Sequence, residues 1–286
     1  VIDIALAAEA APALTGIDLS YTLAGIVTGL VVGITGVGGG AVMTPILILL
    51  LGVAPATAVA TDLWFAAITK LFGAGIHGVG GNIDWQVVRR LWMGSIPVAI
   101  IVAILVALNA KPEKVSWLTT AIGVVVLITA TGMFLAPILI RRAQANRTAD
   151  PTRFRHFQAP ATIASGGVIG GLVALTSVGA GALGSVAMIA LYPFRLTPHR
   201  LVATDIAHAI PLAVVAGTGY IVTGLAAGIG IVVDPWMLAS MLLGSIPTII
   251  IGSFLARKVR PRGIQLALAS VLLFVGVSTI FPMVAH

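Results

Sequence analysis

The chain has 286 residues, of which 59% are hydrophobic and 9% charged, with a net charge of +7 and no cysteine. A soluble domain carries roughly 25% charged residues, so a soluble fold of this composition would lack the polar surface to cover its core. The absence of thiols excludes disulfides, Cys-ligated zinc and thiol catalysis, and the basic residues sit in short loops between apolar runs, as in membrane flanks rather than in a nucleic-acid interface.

Residues 1–19 are apolar and mildly acidic, with no Lys or Arg. A secretory signal needs a basic start, so their role is left open. The first residue is Val, which leaves room for trimming at the start. The stretch Ser20–Gly52 is over 30 residues long and is cut by ITGVGGG at 34–40. As one straight helix it would run roughly 48 Å, against a bilayer core of roughly 30 Å. It is therefore either a long kinked helix or a hairpin that enters and leaves on one side. A span near 56–78 follows, opening on PATAVATD and carrying Asp62, Lys70 and, near its inner end, His77. Intramembrane charges are costly, which makes Asp62 a functional candidate; it could equally pin the Gly-rich backbone beside it. Lys70, roughly two turns on from Asp62, shares nearly the same face, where it could neutralise Asp62, attract an anion or snorkel to the interface. Asp84 precedes Trp85 at the entrance of a span near 87–108, the place of an N-cap or an interface residue. That span contains GSIP at 94–97.

A further span near 115–140 leads into an Arg-rich linker, 141–160. Pro160–Tyr192 is again over 30 residues and is cut by LTSVGAG at 175–181. The span near 199–222 opens on PHRLVATD, which shares five of eight positions with PATAVATD, including Thr204-Asp205 against Thr61-Asp62. His208 lies three residues after Asp205 on the same helical face, so the two could form a proton-accepting pair. The first half has Phe65 at the matching position. Asp234 stands before Pro235 and Trp236 as Asp84 stands before Trp85. Spans near 236–256, with a second GSIP at 244–247, and near 264–284 complete the chain.

The marks recur in the same order, 141 to 150 residues apart. Duplicated apolar halves with interrupted helices are the pattern of secondary transporters that bind between their halves. Basic residues decide the topology, because they collect on the cytoplasmic side. If all eight segments cross, seven basic residues lie inside and eight outside. If the two Gly-broken segments are re-entrant hairpins, 13 lie inside and two outside. The fold expected is an all-α polytopic membrane protein of two inverted repeats, each a Gly-broken re-entrant hairpin plus three transmembrane helices. The repeats span 20–140 and 161–286, joined by the cytoplasmic linker 141–160.

In this arrangement half-helices begin near Gly39–Gly40 and Gly181–Ala182, and their free N–H groups carry the positive end of the helix dipole. Thr35, Gly36, Gly38, Gly39, Gly40 and Thr44 in the first half, with Thr176, Ser177, Gly179 and Gly181 in the second, make a cage of neutral donors suited to a compact oxyanion. Ser185 adds a further hydroxyl. Thr61 and Thr204 extend the cage, and Asp62, Asp205, His208 and Lys70 are candidates for coupling or gating. Carboxylates are too few for a divalent cation, so no metal and no cofactor are expected. The GVGGG run lacks G-x-G-x-x-G spacing, and no GxSxG, HExxH or Walker motif occurs. A channel on the same fold or an intramembrane enzyme are the alternatives to a transporter.

These marks together resemble the TauE/SafE, or sulfite exporter, family. The residues that carry the likeness are GITGVGGGAVMTPIL at 33–47, PATAVATD, Gly81–Trp85 and GSIP in the first half, with GGLVALTSVGAGALG at 170–184, PHRLVATD and GSIP in the second. The resemblance implies export, through a bacterial inner membrane, of sulfite, thiosulfate or an organosulfonate. It leaves the oligomeric state open, with a homodimer as one option. Ala180 stands where the first half has Gly39, so unequal half-sites are expected.

Overall fold

A computed structural model describes residues 16–35, 40–76, 81–109, 151–177, 180–192, 195–226, 228 and 233–255, and scattered helical residues in 123–138 and 270–277. Every regular element among the described residues is helical. In chain order these are α1 (Leu19–Thr35), α2 (Gly40–Pro45) continued by a π-helical turn (Ile46–Leu50), α3 (Pro55–Ile76), α4 (Trp85–Asn109), α5 (Pro151–Thr176), α6 (Ala180–Leu191), α7 (Pro198–Ala226) and α8 (Pro235–Leu255). Most of the spans expected near 115–140 and 264–284, and loop residues 141–150, lie outside the described residues. α5 begins at Pro151, inside the stretch read from sequence as linker.

Among the described residues, four helical stretches are long and apolar enough to cross a bilayer: Trp85–Val106, Phe157–Thr176, His199–Ala226 and Pro235–Leu255. Their outward residues, among them Ile101, Val168, Val222, Ile251 and Phe254, are large, apolar and exposed. That surface suits lipid, where each helix satisfies its own backbone. Helix starts follow local rules. Pro55, Pro198 and Pro235 occupy first helical positions, where the missing N–H costs nothing. Asp84 accepts from the Val87 N–H and Asp234 from the Trp236 N–H, so both are N-caps, as their positions predicted.

Both Gly-rich segments break their helices, and the chain then doubles back. In the second half, Gln158 Nε2 of α5 donates to the Leu191 carbonyl at the end of α6 (2.9 Å), and the Thr162 hydroxyl meets the Tyr192 phenol (2.8 Å). A straight continuation would hold these residues roughly 45 Å apart. The turn passes through Ser177, whose φ of 58° makes it the one non-Gly residue in the left-handed region among those described. In the first half, Ala24 of α1 shares an apolar cluster with Met43 and Leu47, and Tyr21 packs on the same cluster beside Leu51.

The halves are held together by exchange. α1 packs along α8 and α5 along α4, so each broken helix lies against the GSIP helix of the other half. Glycine makes the approach. A Cβ on Gly25 would strike the Met241 carbonyl, one on Gly29 the Ser245 carbonyl, and one on Gly244 the Thr22 carbonyl. The second seam repeats all three contacts in register: Gly166 on Leu91, Gly170 on Ser95, and Gly94 on Ile163. Small residues of this kind are what allow membrane helices to pack backbone to backbone. α3 and α7 cross between the two seams.

Candidate functional site

α3 and α7 carry the duplicated Thr-Asp pairs into the interior. Thr61, Asp62, Thr204, Asp205 and His208 are all buried. Asp62 accepts a hydrogen bond from the Thr44 hydroxyl on α2, so the first acidic residue pins the half-helix that follows its own break. The Ser177 hydroxyl, at the other break, faces the Asp62 carboxylate without a hydrogen bond of normal geometry. One carboxylate therefore reads both interruptions. Asp205 lies close against Gly184 of α6, near enough that a Cβ there would crowd Oδ1.

Asp205 also pairs with Lys70 of α3 at 3.3 Å, with both side chains about nine-tenths buried. Lys70 thus neutralises the carboxylate of the opposite half rather than Asp62. His208 does not hydrogen-bond Asp205. Its Nε2 meets the Ser95 hydroxyl at 3.0 Å, and its backbone carbonyl accepts from the Trp92 indole. Thr204 is occupied as well, accepting from the Asp84 N–H at 3.1 Å, and the Thr176 hydroxyl donates to Leu172 of its own helix.

What remains among the described residues is a set of buried polar atoms with no protein partner: Thr61 Oγ1, Asp62 Oδ1, Trp64 Nε1, Ser177 Oγ, Asp205 Oδ1 and His208 Nδ1. Buried polar atoms are almost always hydrogen-bonded, and in a membrane interior the cost of leaving them bare is greatest. Five belong to residues of α3 and α7, and the sixth faces Asp62. The set therefore follows the crossing of the duplicated helices, where a polar ligand or water can satisfy it.

A model of a family described as sulfite exporter TauE/SafE matches residues 21–279. This chain belongs to the TauE/SafE family. Over 268 residues it is 38% identical to the probable membrane transporter protein YjnA of Bacillus subtilis (strain 168), a match that covers 92% of this chain and all of that protein. No solved structure matches it. The TauE/SafE chain described here is accordingly a multi-pass membrane transporter.

Among the described residues of this TauE/SafE protein, no cluster of His, Asp and Glu could hold a metal ion. Of the residues expected to line the site, Gly40 and Gly181 fall in the first turns of α2 and α6. Gly36, Gly38, Gly39, Gly179 and His77, and the side chain of Thr35, lie outside the described residues. Four residues near the crossing were not singled out from sequence. Trp64 and Trp92 carried no signal beyond their apolar surroundings, and Ser95 was marked only as part of GSIP, with no role assigned to it. Arg195, counted only as a basic flank, forms a two-pronged ion pair with Asp84, with Nη2 to Oδ1 at 2.8 Å.

Proposed function

We propose that this TauE/SafE protein is a secondary transporter that exports a small sulfur-containing anion across a bacterial inner membrane, with residues 141–150 and the start of α5 on the cytoplasmic side. The observation that carries this is the row of partnerless buried donors and acceptors along the α3–α7 crossing, between the two helix breaks. Thr61 Oγ1, Ser177 Oγ and Trp64 Nε1 are uncharged donors, which bind a compact oxyanion without the desolvation cost of a buried cation array. Sulfite, thiosulfate and organosulfonates are compact oxyanions of this kind, and the family's description names sulfite.

The two halves act as inverted repeats. The exchanged glycine seams support this, because one repeat can rock against the other around a crossing that both share. The doubling back of α5–α6 supports a re-entrant hairpin, the arrangement that also gives the stronger basic bias to one side. Asp62 carries the coupling proton in the first half. It holds Thr44 and faces Ser177, so its charge state can be felt at both breaks.

The test is binding of sulfite, thiosulfate, sulfoacetate and chloride to purified protein by thermal shift, followed by flux in proteoliposomes. Selective stabilisation by a sulfur anion and flux driven by a proton gradient are expected. Asp62→Asn is expected to fold and bind but to lose coupling. Flux that ignores the gradient, at rates far above carrier turnover, would show a channel instead.

A further inference from the structure

Lys70 is the point at which the two halves differ most in charge. Its counterpart in the second repeat, set by the spacing of the Thr-Asp pairs, is Ala213. The crossing therefore has two buried carboxylates and one buried ammonium, and the ammonium belongs to one half only. Lys70 makes one hydrogen bond, 3.3 Å to Asp205 Oδ2, although an ammonium carries three donors. Asp205 in turn leaves Oδ1 without a partner. A structural ion pair in a dry interior needs additional hydrogen bonds on both sides to offset desolvation. This pair lacks them, and His208 Nδ1, one turn along α7 from Asp205, is also without a partner.

We propose that Lys70 is the charge partner of the transported anion, and that the anion binds by displacing Asp205 from it. This rests on the transporter reading above and assigns the anion's position within it. When the oxyanion takes the ammonium, Asp205 is left unpaired at depth and takes up a proton from solvent. The groups that face Asp205 are consistent with this. α3 presents Lys70, α6 presents the backbone of Gly184, and on α7 itself His208 is directed to Ser95 of α4. No second cation among the described residues is placed to replace Lys70. The proton offsets one unit of the charge that the anion brings, which lowers the cost of holding it in a low-dielectric interior. It also makes Asp205 a second coupling group, acting through Lys70, alongside Asp62.

The experiment is calorimetric binding of thiosulfate and sulfoacetate to wild type, Lys70→Met, Lys70→Arg, Asp205→Asn and the double variant Lys70→Met/Asp205→Asn, each in buffers of different ionisation enthalpy. Neither anion titrates near neutral pH, so proton uptake reports on the protein. Both anions are divalent at neutral pH, and wild type is expected to take up about one proton, that of Asp205, per anion bound. Lys70→Met should weaken binding about 100-fold, as expected when a desolvated charge loses its partner. Lys70→Arg should retain most of the affinity. Asp205→Asn should tighten binding and abolish the proton uptake. The double variant decides the matter. If Lys70 holds the anion, the double variant regains thermal stability but stays as weak in binding as Lys70→Met. If Lys70 serves only to neutralise Asp205, the double variant binds like wild type and the inference fails. Wild-type protein that binds neither anion, nor sulfite, would sink the sulfur-anion reading and this inference with it. Wild-type binding that Lys70→Met leaves untouched would sink this inference alone.

Discussion

Arg195–Asp84 and Lys70–Asp205 both tie the first half of the chain to the second, but they are built for different work. Arg195 places two donors on two carboxylate oxygens, and Asp84 also accepts from the Val87 N–H while its own N–H donates to Thr204. Every polar atom of that carboxylate is used. It lies at the start of α4, where the Arg195 side chain is 42% exposed and that of Asp84 3%. Lys70–Asp205 is a single contact in the interior, with a bare oxygen beside it. The first is a fastener and the second is exchangeable. Neither has a counterpart in the other half. Gly52 stands where symmetry would place Arg195, and Asp234 caps its own helix. The duplicated frame is symmetric, whereas the ionic chemistry laid on it is not.

That comparison can be broken at several points. The largest effect should come from the frame that brings both pairs together. Gly94→Val drives a side chain into the Ile163 carbonyl, and overpacking against backbone costs about 3 kcal/mol or more. The expected outcome is loss of monodisperse protein in detergent, while Gly75→Ala, which meets open space, behaves as wild type. Next comes Lys70→Met, expected to reduce anion affinity about 100-fold while leaving the fold intact.

Arg195→Ala should do the reverse, lowering stability by about 2 kcal/mol without removing anion binding; fully buried pairs cost more, but the guanidinium here is partly screened by its exposure. Thermal unfolding with and without thiosulfate separates the two cases, and adding Asp84→Asn should recover part of the loss. An Arg195→Ala protein that is stable but binds no anion would erase the distinction between the pairs. The smallest effect is Ser95→Ala, which removes the hydrogen bond to His208 and should cost about 1 kcal/mol in unfolding experiments.

Much of the frame was legible without coordinates. The breaks at 34–40 and 175–181 interrupt the helices, because glycine runs weaken helix interiors wherever they occur. Asp84 and Asp234 cap the helices that follow them, because a cap bonds within three residues of itself. The Thr-Asp pairs proved to be buried, as charges inside apolar spans had suggested. The GSIP repeats were visible as marks but their use was not. Gly94 and Gly244 matter because of helices that approach from the other half, and no local pattern states which helix that will be. The same holds for Lys70. Its spacing from Asp62 suggested a partner on its own helix, but at eight residues the two are about 12 Å apart along the axis, whereas Asp205 on the crossing helix is within reach.

Composition and local pattern were enough to place this chain in a membrane, to mark where most of its described helices begin and end, and to show which polar residues are carried to depth. Those outcomes depend on composition and on interactions spanning a few residues. The tertiary structure alone decided that Thr44 and Ser177 converge on Asp62, that Lys70 answers Asp205, and that Thr204 and Arg195 close on Asp84. Each of these pairings joins residues 18 to 135 positions apart, and such distances are closed only when glycine seams set how α3 and α7 cross.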